Sequence, residues 1–321
     1  MRIIVASDGS RASMVAVGLV RTLAWPPETT IRVVVVEETA DDLSIATWLG
    51  ATLAEPSGRS WTHTKAIHQL LDRLVRHLER EGVTVERAVP RGRPAAAILQ
   101  QALDLDADLI VVGSRGHGTI ATMLLGSVSA EIVDGASCPV LVARTDMVTS
   151  MVVGVDGSAA AAAALDLIRD PDMFPNVPVT LVSAADVHLP VLMGFESSYG
   201  ALAEMQAEEI EEALRHHAEI CAVARARLAG SSRRVDYQVD PGDPATALLR
   251  IGQAVNADII AVGTTGRTGF RRLLVGSVAR NVLLHAPCSV LVVPDPARRR
   301  MHSLDAGSSD VPGVAETAVS R

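Results

Sequence analysis

From the N-terminus, the chain alternates short apolar runs with longer stretches of helical period. Residues 2–7 and 31–36 are continuous apolar or β-branched runs, which predicts two strands buried on both faces. Residues 10–23 between them have helical spacing, with Ser10 placed to cap the start. Residues 62–81 repeat apolar positions every three or four residues and stop at Gly82, which predicts a second helix. Residues 83–89 alternate, as a strand with one exposed face would. A helix is predicted from Pro94, in its first turn, to Leu103. Residues 109–113, 125–134 and 140–143 then predict a strand, a helix and a last strand. Such alternation builds a parallel sheet covered by helices on both faces.

The same pattern comes twice. Residues 91–143, RGRPAAAILQQALDLDADLIVVGSRGHGTIATMLLGSVSAEIVDGASCPVLVA, align without a gap on residues 241–293, PGDPATALLRIGQAVNADIIAVGTTGRTGFRRLLVGSVARNVLLHAPCSVLVV. Gly92 meets Gly242, Pro94 meets Pro244 and Cys138 meets Cys288, an offset of 150. Nearer the start of each half, IIVASDGS matches MVVGVDGS and places Asp8 over Asp156, an offset of 148. The chain therefore reads as a tandem duplication jointed near residues 145–150. The expected units are 1–146 and 149–295, each a doubly wound (Rossmann-like) α/β domain around a five-stranded, parallel-type sheet. Residues 296–321 are polar and without period, which predicts a disordered tail.

Composition narrows the function classes. The net charge is -8, which argues against a nucleic-acid binder held by a broad basic face. Aromatic residues make up 2% of the chain, too few for a base-stacking platform. The 3 cysteines include no C-x-x-C pair and suit a reduced, cytoplasmic chain. No apolar run approaches the roughly 18 residues of a membrane span, and the first is too short for a secretory leader.

The candidate chemistry lies in the glycine loop after the fourth strand of each half. Gly113, Gly116 and Gly126-Ser127 recur as Gly263, Gly266 and Gly276-Ser277, with two and nine residues between successive glycines. A Gly-Ser step into a helix presents unpaired backbone N–H groups and a hydroxyl where the helix dipole favours an anion. That offers a place for a phosphate chain, while tight turns alone would also use glycine. Asp8 and Asp156 end the first strands at the same carboxyl edge, where doubly wound sheets collect ligands. Each can accept hydrogen bonds from a sugar hydroxyl or a base amino group, or serve the start of the following helix. No Walker A string occurs. A loose dinucleotide pattern at 116–121 is not repeated in the second half.

These spacings, with the strand-end aspartates and the endings SCPVLVA and PCSVLVV, resemble the universal stress protein family over nearly the whole chain. The resemblance implies a stress-response regulator that binds an adenine nucleotide, ATP or a relative, at one site per domain. Asp8 would meet adenine or ribose, and Val36 adenine through its backbone. Gly113 and Ser114 would border the ribose, Gly116 the phosphates. Gly126, Ser127 and Val128 would cradle the phosphates, with Ser129 at the terminal one. In the second half these become Asp156, Ala184, Gly263, Thr264, Gly266, Gly276, Ser277 and Val278. Ala279 replaces Ser129, and Arg267 stands where the first half has His117. Any Mg2+ would be held mainly by the phosphates. With no general base, Walker lysine or carboxylate pair near the loop, hydrolysis is expected to be slow or absent. The expected partners are the nucleotide and an unidentified regulatory protein, with room for a homodimer beyond an intrachain pair. The competing reading is an interaction scaffold without nucleotide, or a weak ATP hydrolase or phosphotransferase.

Overall fold

The computed structural model describes residues 1–38, 59–115, 125–169, 173–185, 199–230, 233–264 and 275–297. In the first half β1 (Arg2–Ala6), β2 (Thr29–Val34), β3 (Val83–Ala88), β4 (Leu109–Gly113) and β5 (Val140–Ala143) alternate with α1 (Arg11–Thr22), α2 (Arg59–Leu78), α3 (Pro94–Leu105) and α4 (Ser127–Gly135). The second half holds β6 (Met151–Gly154), α5 (Ala159–Arg169), β7 (Val179–Ala185), α6 (Tyr199–Arg227), β8 (Val235–Pro241), α7 (Pro244–Ala254), β9 (Ile259–Gly263), α8 (Ser277–His285) and β10 (Ser289–Val293).

Strand order is β3-β2-β1-β4-β5-β10-β9-β6-β7-β8. All neighbours are parallel except β5 and β10, which pair antiparallel through Val142↔Val290, Leu141↔Leu291 and Val140↔Val292. The two five-stranded sheets are thus one continuous ten-stranded sheet, and the last strands of the halves meet as a pseudo-two-fold pair. Both strands are wholly buried, which explains why neither shows an alternating pattern.

Residues alternate between two cores, one on each face of the sheet. Ile3, Val5, Leu109 and Val111 face the side of Leu19, Leu74 and Ile168. Ile4, Ala6, Ile110 and Val112 face the side of Ile98, Ile132 and Val282. At the seam Arg280 of α8 reaches Asp134 of α4 at 3.1 Å, and Thr145 Oγ1 lies 3.0 Å from Ser289 Oγ. The outer strand β3 is half-exposed and carries the Arg32–Glu86 pair with β2. Charges on an edge strand oppose further pairing. Among the described residues no helix is long and apolar enough to cross a membrane.

Helix starts differ between the halves where the sequence does. Arg93 precedes α3 and makes no side-chain cap, whereas Asp243 precedes α7 and accepts from Thr246 N at 2.8 Å. Those hydrogen bonds from the Thr246 backbone and hydroxyl hold the Asp243 carboxyl below its ordinary value of 3.8. A depressed carboxyl contributes stability above its unfolded pKa and loses it as pH falls through the folded one. Asp243→Ala is therefore expected to cost about 1 kcal/mol near neutrality. The deficit should shrink as both proteins are taken from neutral to acid pH, where the carboxyl takes up its proton. Urea denaturation at the two pH values checks this, and an equal deficit at both would contradict it.

Candidate functional site

The first half opens a cavity of about 530 Å³ at the carboxyl ends of β1, β2 and β4, against the start of α4. Topology places it there: after β4 the chain turns back toward α4, and both ends of that turn are fixed by the backbone. Gly126 N donates to Ser114 O at 2.7 Å, and Ser114 N donates to Ala143 O at 3.2 Å. The second half repeats both bonds, from Gly276 N to Thr264 O at 2.7 Å and from Thr264 N to Val293 O at 2.9 Å.

One wall of the cavity is apolar, built by Ala6, Val34, Val36, Ile98, Val112 and Leu125. The rest includes polar or glycine positions, Asp8, Gly113, Gly126, Ser127 and Ser129, with Val128 beside them at the start of α4. The structure thus brings together Asp8, Val36, Gly113, Gly126, Ser127, Val128 and Ser129. Val36 reaches it from two residues beyond the end of β2. Ser114 is buried and is not part of the cavity wall. Gly116, Gly266 and Arg267 lie outside the described residues, as do His117 and the tail from residue 298 onward.

Several of these residues have a local task as well. Asp8 Oδ1 accepts from Ser10 N at 2.9 Å, and Asp156 Oδ1 accepts from Ser158 N at the same distance. Each aspartate spends one carboxylate oxygen on shaping the turn through Gly9 or Gly157, which both have φ of 80°. Gly113 is required by packing. A Cβ there would lie 2.6 Å from the carbonyl carbon and oxygen of Ala12. Gly263 repeats this with a Cβ 2.7 Å from that of Ala160.

Ser129 Oγ donates to Gly113 O at 2.7 Å and is buried, so in this structure its proton ties the start of α4 to the end of β4. Ala279 lacks that bond. The difference between the halves at this position therefore falls first on the turn.

Helices α4 and α8 begin differently from α1 and α7. Ser10 and Asp243 cap the latter two with their side chains, whereas Gly126 and Gly276 are extended and have none to offer. Ser127 and Val128, the first residues of α4, line the cavity, and a helix cannot satisfy its first N–H groups itself. Ser277 and Val278 hold the same positions in α8. On the second sheet Ala184 lies within β7, half-buried, and Asp156 follows β6.

Sequence reasoning missed Arg115, Glu38, Ser13 and Pro94, all in the cavity wall. Arg115 sits between two motif glycines and was visible by charge alone. Ser13 is tied in by Ser7, Oγ to Oγ at 2.9 Å, and donates from Oγ to Ser10 O at 3.0 Å. The cysteines stay away from the cavity. Burial pushes the Cys221 and Cys288 thiols up to about 11, which makes them inert packing. Among the described residues no group of three or more His, Cys, Asp or Glu is placed to hold a metal ion.

A doubly wound domain with an uncapped helix start, a strand-end carboxylate and an apolar wall at the carboxyl edge defines a class of small-molecule α/β binding proteins. The comparisons make the assignment specific. The family model described as universal stress protein family matches residues 1–144 and again 147–294. The chain belongs to the universal stress protein family, as a tandem member.

A universal stress protein of Mycolicibacterium smegmatis is 30% identical over 226 residues, 67% of this chain and 70% of that one. Another, from Mycobacterium tuberculosis, is 29% identical over 264 residues, 77% of this chain and 82% of that one. Among solved structures, a universal stress protein from Archaeoglobus fulgidus superposes with a TM-score of 0.61 at 18% identity. That match covers 92% of this chain and 98% of the other, a likeness of fold.

Proposed function

We propose that this chain is a cytoplasmic stress-response regulator that binds an adenine nucleotide, ATP in the first instance, at one site in each half. The observation that carries the reading is the two-sided cavity of the first half. Its apolar wall suits a base, and its volume falls within the range of small-molecule sites. The carboxylate of Asp8 in the cavity wall suits a hydroxyl or amino donor. The backbone N–H groups of Ser127 and Val128 suit phosphate oxygens. The repeat of the same backbone bonds around Thr264 and Gly276 supports a second site with Asp156 and Ser277.

Magnesium would arrive with the nucleotide and be held by its phosphates. Turnover is expected to be slow or nil, and the nucleotide acts as a signal. A regulatory protein that reads the loaded state is the expected partner. Any homodimer would use a surface other than the paired β5 and β10.

The test is to denature the purified chain and identify released small molecules by mass spectrometry. An adenine nucleotide in the released fraction is the expected result. A clean fraction, followed by no heat on titrating ATP, would favour a nucleotide-free scaffold instead.

A further inference from the structure

The strand order fixes the order of charges along the carboxyl edge of the first half. From β2 through β1 and β4 to β5, the residues after the strand ends include Glu38, Asp8, Arg115 and Arg144 in turn. The first three line the cavity. Arg144 lies behind them, most of its side chain buried, and its guanidinium donates to Leu283 O and Cys288 O at 2.6 and 3.2 Å. Burial holds Arg144 below the ordinary guanidinium value, and the nearby positive charge of Arg115 pushes the same way. The edge therefore runs from two carboxylates to two guanidiniums that repel each other. A ligand with neutral donors at one end and several negative charges at the other matches that gradient in one direction only.

We infer that the first-half site selects ligands carrying a chain of two or more phosphates, and that Arg115 is the side chain that contacts the outer phosphates. This rests on the nucleotide reading above and adds a specificity to it. Arg115 is exposed at the cavity mouth, so its guanidinium can follow a phosphate chain as it lengthens. The second half cannot do the same with these positions. Thr265 stands for Arg115 and Pro294 for Arg144. The duplication has thus kept the same closing backbone bond in both halves, Gly126 N to Ser114 O and Gly276 N to Thr264 O, and placed these two guanidiniums in the first half alone.

Calorimetric titration of adenosine, AMP, cyclic AMP, ADP and ATP into the full chain and into Arg115→Gln and Arg115→Lys tests this. In the wild type, affinity at one of two sites should climb from AMP to ATP and fall with added salt. Arg115→Gln should flatten that climb, weakening ATP by about tenfold or more while leaving adenosine unchanged. Arg115→Lys should keep part of it. An unchanged climb in Arg115→Gln, or cyclic AMP bound as tightly as ATP at that site, would overturn the inference and leave the nucleotide reading standing. If the wild type binds none of the five, the nucleotide reading falls and this inference falls with it.

Discussion

Gly113→Ala should destabilise the protein by about 3 kcal/mol or more, a large share of a typical domain's stability. The new methyl would sit 2.6 Å from Ala12 C and O and 2.7 Å from Ser13 N. These are backbone atoms at the start of α1, and they cannot swing aside as a side-chain tip can. Either α1 lifts from β4 or β4 shifts against β1, and both moves open a close-packed core. Gly263→Ala should act in the same direction but less. Its closest clash is the Ala160 side chain at 2.7 Å, and the backbone there is 3.2 Å away. Urea denaturation of the single variants measures both. Wild-type stability in Gly113→Ala would show that the helix–strand approach is looser than described. It would return this glycine to a purely ligand-facing role.

Ser127→Pro is expected to do the opposite: leave the fold intact and remove phosphate binding in the first half. Ser127 is the first residue of α4, where the N–H has no partner within the helix and proline is well tolerated. The residue before it, Gly126, has φ -73° and ψ 149°, the extended conformation that a following proline favours. The protein already begins α3 and α7 with Pro94 and Pro244. The substitution removes one N–H donor and one hydroxyl that the cavity presents. Loss of a charge-assisted hydrogen bond corresponds to roughly tenfold to a hundredfold in affinity. Calorimetry should lose one of two nucleotide equivalents, or see it weakened by that factor, with the denaturation midpoint unchanged. Ser277→Pro should do the same to the other equivalent. Full affinity in Ser127→Pro would remove the start of α4 from the site.

Most elements were legible because their signals are local. Buried strands such as Leu109–Gly113 are apolar without interruption, and Ser10 caps α1 by bonding Ser13 N, as its position predicts. The duplication then separated the recurring glycines from the incidental one at Gly118. Boundaries were less legible. The helix expected from Leu125 begins at Ser127, because Gly126 is extended and ends the turn instead. Arg59 starts a helix expected at Thr62.

The site was legible in part. Asp8, Gly126, Ser127 and Val128 converge as their spacing implies. Ser114 turns inward and Ser129 bonds back to Gly113, because the direction of a loop side chain depends on the closure of the whole turn. The packing need at Gly113 is equally hidden. It comes from the approach of Ala12, a hundred positions earlier, and nothing near Gly113 encodes it. The antiparallel meeting of β5 and β10 is likewise a pairing choice between two wholly apolar strands, which composition cannot distinguish.

The central claim is that each half holds one adenine nucleotide between a strand-end aspartate and an uncapped helix start. Isothermal titration of ATP into ligand-free protein, beside the Ser127→Pro/Ser277→Pro double variant, tests it most directly. The account predicts two equivalents bound by the wild type and none by a double variant that remains folded. Two equivalents bound by both proteins, or none by the wild type, would contradict it.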